Sequence, residues 1–244
     1  MEKIIYYKDE KDDVVGAKDQ EYKLKDDYKW IRKDPISVVL SFVIYTLALV
    51  FSFFYLHFHL KMRIKGKKKL KGLKEGCFIY ANHTQPIGDV FIPAHAAFSK
   101  RIYTIVSPAN YSIPFIGKIL PYLGALPIKE GLKGIKGLND AINERIKERK
   151  AIVVYPEAHV WPYYTKIRSF SQTSFKYPVK LNVPSFSLTA TYTKPIIGKR
   201  PRMVVYIDGP YLDSDALNLK ETIYNKMVER SKSSDIEYIR YIRH

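Results

Sequence analysis

The sequence contains a single cysteine, Cys77, which excludes an internal disulfide framework and any cysteine-based metal cluster. No two histidines have the His-x-x-x-His spacing of many zinc enzymes, and a site built from His83, Asp89, His95 and His159 has no comparable ligand spacing. We therefore expect no bound metal. The lack of disulfides also favours the reducing, cytoplasmic side of a membrane.

Acidic residues are scarce: 24 Asp and Glu stand against 41 Lys and Arg in 244 residues, which gives a formal net charge of +17. Such an excess predicts an anionic partner, whether nucleic acid, acidic lipid or a phosphorylated substrate. Composition alone does not choose among these. The length suits one domain of moderate size with an appendage.

Charged residues are absent from residues 36–60, a run of 25 residues. As a helix this run would be about 37 Å long, more than the roughly 30 Å of a hydrocarbon core, so it predicts a membrane helix. A cleaved signal peptide is disfavoured because the run starts late and no small-residue cleavage site follows it. A buried core helix is the alternative.

Acidic residues are also absent from residues 61–74, which contain eight Lys and Arg. Lysines beside a membrane segment are attracted to acidic headgroups by about 1 kcal/mol each, so we expect anionic lipid to be a partner. The positive-inside rule places the following domain in the cytoplasm, although six basic residues between Lys18 and Lys33 leave a shallow helix with both ends cytoplasmic open. Nucleic-acid binding is not expected, because no recognition motif accompanies the run.

The remainder alternates strand-like and helix-like runs, which predicts an α/β fold with a mostly parallel sheet flanked by helices, preceded by the membrane-anchoring helix. Composition divides the chain into a charged arm (1–34), the membrane helix (35–60), a basic linker (61–75) and a larger domain (76–244), which we expect to be the catalytic one. Strands are predicted at 77–81, 102–106, 124–128, 151–155, 185–191 and 202–207, and helices at 90–100, 115–122, 134–149 and 215–231.

The most informative stretch is N-H-T-Q-P-I-G-D at residues 82–89, directly after a predicted strand. Pro86 and Gly88 disfavour a regular helix, so the imidazole of His83 can fold back toward Asp89. A carboxylate that orients a histidine base is an arrangement that can take a proton from a substrate hydroxyl. The alternative interpretation is that Asp89 caps a helix beginning near Val90.

A second strand, 151–155, should deliver Glu157 and His159 to the same edge of the sheet. Together with this segment, residues 82–89 belong to a series of four short motifs. N-H-x5-D at 82–89 is followed by I-P-F-I-G at 113–117 with G-A-L-P-I at 124–128, then by Y-P-E-A-H-V at 155–160 and by Val183-Pro184.

In this order and rough spacing, the motifs resemble those of the lysophospholipid acyltransferases of the 1-acylglycerol-3-phosphate type. That family has N-H-x4-D, F-P-E-G-T-R and V-P-x-x-P, so this chain has one residue more between His83 and Asp89, and Ser187 stands at the second proline of the last motif. The resemblance covers residues 78–184. It implies His83 as the catalytic base and Asp89 as its orienter.

Two arginines of the family pattern are missing, because Glu130 and Val160 occupy their positions. Lysine binds phosphate as a point charge where arginine binds it bidentately, so weaker phosphate recognition is expected. The residues predicted to bind substrate are Asn82, Gly124, Lys129, Lys133, Glu157, His159 and Arg168.

The resemblance implies a membrane-bound O-acyltransferase that moves a fatty acyl group from acyl-CoA or acyl carrier protein to a lysophospholipid, with no resident cofactor. Lysophosphatidate is the expected acceptor. Two alternatives stay open: a catalytically impaired basic adaptor that binds membranes, and a lipid or thioester hydrolase using the same histidine. The sequence has no Gly-x-Ser-x-Gly nucleophile elbow, which disfavours a serine hydrolase.

Overall fold

The computed structural model describes residues 3–15 and 21–244. Its strands are β1 (Lys3–Tyr7), β2 (Arg63–Lys65), β3 (Cys77–Ala81), β4 (Ile102–Val106), β5 (Ala125–Pro127), β6 (Ala151–Val154), β7 (Ser185–Thr193), β8 (Arg202–Tyr211) and β9 (Ile239–Arg243). Its α-helices are α1 (Pro35–Phe54), α2 (Ile92–Ala96), α3 (Ile116–Leu123), α4 (Gly131–Lys147), α5 (Lys176–Leu181) and α6 (Ala216–Ser231). A π-helical turn, Tyr55–His59, continues α1.

Seven strands form the central sheet in the order β2-β8-β7-β3-β6-β4-β5. Every pairing in it is parallel except the antiparallel pair β7 and β8. A separate two-stranded parallel sheet joins β1 to β9. The predicted α/β fold with a mostly parallel sheet is therefore confirmed.

The central strand β3 is buried along its whole length, as its apolar sequence C-F-I-Y-A predicts. Cys77, Ile79 and Ala81 face a core that includes the end of α1 and part of α2, whereas Phe78 and Tyr80 face a core formed with α4 and α6. Because β3 and β6 are parallel and adjacent, the segments that follow them leave the sheet side by side. This topology positions the candidate site.

The six predicted strands are present with shifts of a few residues, and three of the four predicted helices match closely. The helix predicted at 90–100 is reduced to α2, because the chain turns at Ala97 and Lys100 donates hydrogen bonds to the backbone oxygens of Glu75 and Arg149 at 2.6 and 3.0 Å. The prediction omitted β1, β2, β9 and α5. These are short, and all four are rich in charged or tyrosine residues.

The four segments recognised by composition pack as one unit in the described chain. Trp30, from the predicted arm, packs against the α4 core, and its indole N–H donates to the backbone oxygen of Pro127 at 2.9 Å. The predicted linker contributes β2 to the edge of the main sheet. Residues of the predicted arm and of the predicted linker therefore contact the predicted catalytic domain directly.

Helix α1 lies against the domain along one face and is exposed along the other. Asp34 caps it by accepting the Ser37 N–H at 2.8 Å, and Tyr45, Leu49 and Leu56 contact the core. Residues Pro35–His59 form the one described segment that is long and apolar enough to cross a membrane, with a mean hydropathy of 2.4. Only 6% of its most apolar window is buried, so it is not the buried core helix considered as an alternative.

Candidate active site

The predicted pair of His83 and Asp89 is formed within the turn between β3 and α2, here called the dyad turn (residues 83–89). His83 Nδ1 lies 2.7 Å from Asp89 Oδ2. The backbone N–H groups of Thr84 and Gln85 donate to the same oxygen at 2.7 and 2.8 Å. The turn closes as the Asp89 N–H donates to the Gln85 carbonyl at 3.2 Å, so the extra residue is accommodated without separating the pair.

The hydrogen bond to Asp89 determines which nitrogen of His83 is free to act as a base. Because the carboxylate can only accept, Nδ1 carries the proton and the lone pair is on Nε2. The His83 side chain is 18% exposed and that of Asp89 3%. This is the arrangement of a histidine base held by a buried carboxylate, with one ring nitrogen left for a substrate hydroxyl.

Glu157, predicted to bind substrate, is buried behind the dyad turn. Its Oε2 accepts the His83 backbone N–H at 3.1 Å, and its Oε1 accepts the Arg168 backbone N–H at 2.9 Å. Burial raises the pKa of Glu157, while the adjacent Arg168 guanidinium and the two backbone donors oppose that rise. Through the first of these hydrogen bonds, Glu157 holds the backbone of His83 in place.

Arg168, predicted to bind substrate, is 1% exposed, so its guanidinium is buried within the protein. Its Nη2 lies 3.4 Å from Glu157 Oε2 and also donates to the His159 carbonyl. Its Nη1 donates to the Glu10 carbonyl at 2.9 Å, and the guanidinium lies 4.7 Å from the centre of the Trp161 ring. Arg168 thus joins the N-terminal segment to the loop after β6.

His159 lies beside the N-terminal segment. Its Nδ1 is 3.8 Å from Asp13 Oδ2, and its side chain is 35% exposed. Nearby, the Trp161 indole N–H donates to the Asp12 carbonyl at 2.9 Å. Residues 10–13, which the sequence analysis assigned to a separate arm, therefore cover the loop that carries Glu157 and His159.

Asn82 and Gly124 have contacts that differ from the predicted substrate binding. Both polar atoms of the Asn82 amide bond to the backbone of Ala190, at 3.0 and 2.8 Å, and the residue is 2% exposed. Gly124 ends α3 with φ of 93°, and an added Cβ would lie 2.5 Å from the Ile102 carbonyl. Gly124 precedes β5 whereas His83 follows β3, so the two residues lie at opposite ends of these parallel strands.

The two predicted phosphate-binding lysines follow β5. Lys129 Nζ donates to the Lys25 carbonyl at 2.8 Å and to Asp26 Oδ1 at 3.1 Å. Lys133 is exposed in the first turn of α4. Of the two, Lys133 is the one whose side chain faces solvent, and Lys129 fastens the segment that precedes α1.

The sequence reasoning missed two tyrosines that contact the dyad turn. The Tyr155 ring stacks on the His83 ring with centroids 4.4 Å apart, and the Tyr192 hydroxyl lies 2.8 Å from Thr84 Oγ1. The available signal was that Tyr155 ends a buried strand next to Glu157. In the described residues, no group of three His, Cys, Asp or Glu side chains is placed to hold a metal ion.

Comparison with known proteins assigns the family. A search of curated proteins gave no match. A solved structure, that of the 1-acyl-sn-glycerophosphate (LPA) acyltransferase PlsC from Thermotoga maritima, is similar in fold with a TM-score of 0.50 and 18% identity, covering 83% of this chain and 98% of that chain. A family model described as Acyltransferase matches residues 61–191, more than half of the 244 residues. The chain therefore belongs to the Acyltransferase family.

Proposed function

We propose that this protein is a membrane-bound O-acyltransferase that transfers a fatty acyl group from acyl-CoA or acyl carrier protein to a lysophospholipid, with lysophosphatidate as the preferred acceptor. The observation that carries this proposal is the 2.7 Å pair of His83 and Asp89, whose second ring nitrogen is free, in a chain of the Acyltransferase family. An intact pair favours an enzyme over a catalytically impaired adaptor.

The chemistry follows from the orientation of the imidazole. Nε2 of His83 takes the proton of the acceptor hydroxyl as its oxygen attacks the thioester carbonyl. Asp89, hydrogen-bonded to Nδ1–H, stabilises the imidazolium that forms. When the tetrahedral intermediate collapses, the C–S bond breaks and the thiolate of the donor leaves with the proton from Nε2. The ester is formed in one displacement, and no acyl-enzyme is required.

Membrane association is supported by the outward face of α1. Its exposed large apolar residues are Ile36, Val38, Val39, Leu40, Phe42, Val43, Leu47, Val50, Phe51, Phe53 and Phe54. A contiguous exposed apolar face of this kind, in a chain whose formal net charge is +17, fits an anionic bilayer surface.

Both ends of α1 are attached to the same domain, which bears on how it meets the bilayer. Before the helix, Lys33 pairs with Glu144 of α4 at 2.5 Å. Along the helix, the Ser41 hydroxyl donates to the Tyr122 carbonyl at 2.9 Å. After the helix, Leu60 is 2% exposed in the core. These contacts favour a helix lying in the cytoplasmic leaflet beside the domain over one that spans the bilayer.

The dyad turn lies close to the end of this helix. A Cβ built on Gly88 would lie 3.1 Å from Leu60 Cδ1. An exposed basic loop between β7 and β8 approaches the same end, where the Lys61 ammonium donates to the Ile197 carbonyl at 3.1 Å. An amphiphilic acceptor could therefore keep its acyl chain in the bilayer while its hydroxyl reaches His83.

The decisive experiment is incubation of the full chain, reconstituted in acidic vesicles, with labelled acyl-CoA and acyl carrier protein donors against a panel of lysolipids. Transfer to a lysolipid is the expected result, and His83→Ala should lower kcat by about 10² to 10⁴ because the general base is lost. His244→Ala, at the end of the chain, is the matched control and should keep wild-type turnover. Release of free fatty acid without transfer would indicate a hydrolase, and turnover of neither kind would indicate an adaptor.

A further inference from the structure

The dyad turn holds five residues between His83 and Asp89, and a tyrosine side chain contacts each of its two ends. Near the middle of the turn, Ile87 is 54% exposed. A histidine base is effective only when its partner keeps it in the productive orientation, and an additional residue gives the turn more conformations to sample. The contacts at its two ends therefore determine how well the pair is held.

Tyr155 provides the contact at the Asp89 end. It directly follows β6, the neighbour of β3, and its ring stacks on that of His83 with an interplanar angle of 26°. Its hydroxyl donates a hydrogen bond to the backbone carbonyl of Asp89. Burial raises the pKa of Tyr155 well above its ordinary value, so the hydroxyl remains a donor throughout the neutral range.

Tyr192 provides the contact at the other end. This residue of β7 is 1% exposed, and its hydroxyl lies 2.8 Å from Thr84 Oγ1 and accepts from Gln85 Nε2 at 2.9 Å. Thr84 and Gln85 are the residues whose backbone N–H groups bind the Asp89 carboxylate. The hydroxyls of Tyr155 and Tyr192 therefore contact opposite ends of the dyad turn.

We propose that Tyr155 is a positioning residue that holds Asp89, and through it His83, in the catalytic orientation, with Tyr192 holding the opposite end of the dyad turn. The inference rests on the proposed function. The corresponding position of the family motif quoted above is phenylalanine, which supplies the ring without a donor. In this chain the tyrosine hydroxyl accompanies the longer turn and fastens it.

The first test compares Tyr155→Phe with a matched control, Tyr80→Phe. The Tyr80 hydroxyl also donates to a backbone carbonyl, that of Ser174 at 3.0 Å, but from the face of β3 that packs against α4. Loss of one such hydrogen bond in the dyad turn should lower kcat by about tenfold with acceptor KM within about twofold. Tyr80→Phe should leave both unchanged. Equal kcat in Tyr155→Phe and wild type would overturn the proposal.

The second test asks whether Tyr155 acts through Asp89. In an Asp89→Asn background, Tyr155→Phe should cost less than about twofold in kcat, because the group it positions is already impaired. The same tenfold loss in both backgrounds would mean that Tyr155 acts on something other than Asp89, and the proposal would be wrong.

A third measurement does not depend on turnover. The Nδ1 proton of His83, shared with Asp89, should give a downfield proton resonance in detergent-solubilised full-length protein. Tyr155→Phe should speed its exchange with water by about tenfold, whereas Tyr80→Phe should not. If wild-type protein transfers no acyl group, the proposed function fails but this comparison still decides the role of Tyr155. An unchanged exchange rate in Tyr155→Phe would refute it.

Discussion

Substitution of Arg168 distinguishes a substrate-binding arginine from a structural one. The missing arginines of the motifs suggested that Arg168 binds the acceptor phosphate, so Arg168→Ala would raise KM. The structure instead buries Arg168, pairs it with Glu157 and fastens it to the Glu10 carbonyl. Removing it leaves the buried Glu157 carboxylate with its two backbone N–H donors but without its cation. Breaking a buried pair in this way costs about 3–5 kcal/mol of unfolding free energy, a large share of the roughly 5–15 kcal/mol of a typical domain.

The assay is urea unfolding of the full chain in mild detergent, followed by tryptophan fluorescence. Trp161 lies against the Arg168 guanidinium and Trp30 lies in the α4 core, so both report on the domain. Arg168→Met with Glu157→Gln should be more stable than the sum of the single changes predicts, because it removes both charges. Lys33→Ala, at an exposed ion pair, should change stability far less.

If Arg168→Ala unfolds at the wild-type urea concentration and raises the acceptor KM selectively, the structural role is refuted. Arg168 would then contact substrate, as the motif comparison suggested.

Three further outcomes are expected. Asp208 accepts hydrogen bonds from Arg230 and Lys69, which lower its pKa from 3.8 to about 2, so its contribution to stability is present above pH 3.8 and is lost as the pH falls toward 2. The difference in Tm between wild type and Asp208→Asn should therefore shrink from pH 3.8 to pH 2, and a constant difference would contradict this prediction. Ile196 and Ile197 are 70% and 78% exposed in the basic loop between β7 and β8, so changing both to serine should weaken binding to acidic vesicles. Leu212→Ser, at the other end of β8, should not weaken it, and equal weakening by the double variant and by Leu212→Ser would exclude a specific role of the loop in membrane binding. Lys133→Ala should raise the acceptor KM more than it lowers kcat, most strongly at low salt, and an unchanged KM at both salt concentrations would exclude it from headgroup binding.

Six of the seven strands of the main sheet were predictable because they are apolar runs, most of them separated by amphipathic helical runs, whereas the charged three-residue strand β2 was not. The strand C-F-I-Y-A at residues 77–81 is buried on both faces, and a local pattern is enough to identify such a strand. Strands β1 and β9 were not predictable in this way. Their pairing joins residue 3 to residue 239, and their sequences mix lysine and arginine with isoleucine and tyrosine. No local pattern specifies a partner at that separation.

The position of α1 shows a different limit of sequence reasoning. Its apolar length indicated a membrane segment, but the same composition is compatible with a spanning helix and with one lying on a domain. Only a few polar side chains on one face of α1 distinguish a helix that lies on the domain from one that spans the bilayer. Ser41 and Ser52 face the domain, where they contact the Tyr122 carbonyl and His95. In a hydropathy profile such serines lower the value only slightly, so the docked face is visible only once the helix is placed against its neighbours.

For the candidate site, the sequence predicted the contact between His83 and Asp89 better than it predicted the residues that surround this pair. His83 and Asp89 were predicted from residue type and a turn that brings them together, and the pair is formed because one carboxylate oxygen gathers two backbone N–H donors as well as the imidazole. From the sequence, Glu157 and Arg168 were predicted to bind substrate, because a charged residue in or near a motif suggests a side chain that is exposed to the substrate. Both are buried, and their charges are used within the loop that holds the His83 backbone. The exposed groups left to test for substrate specificity include Lys133, at the start of α4, and the basic loop between β7 and β8.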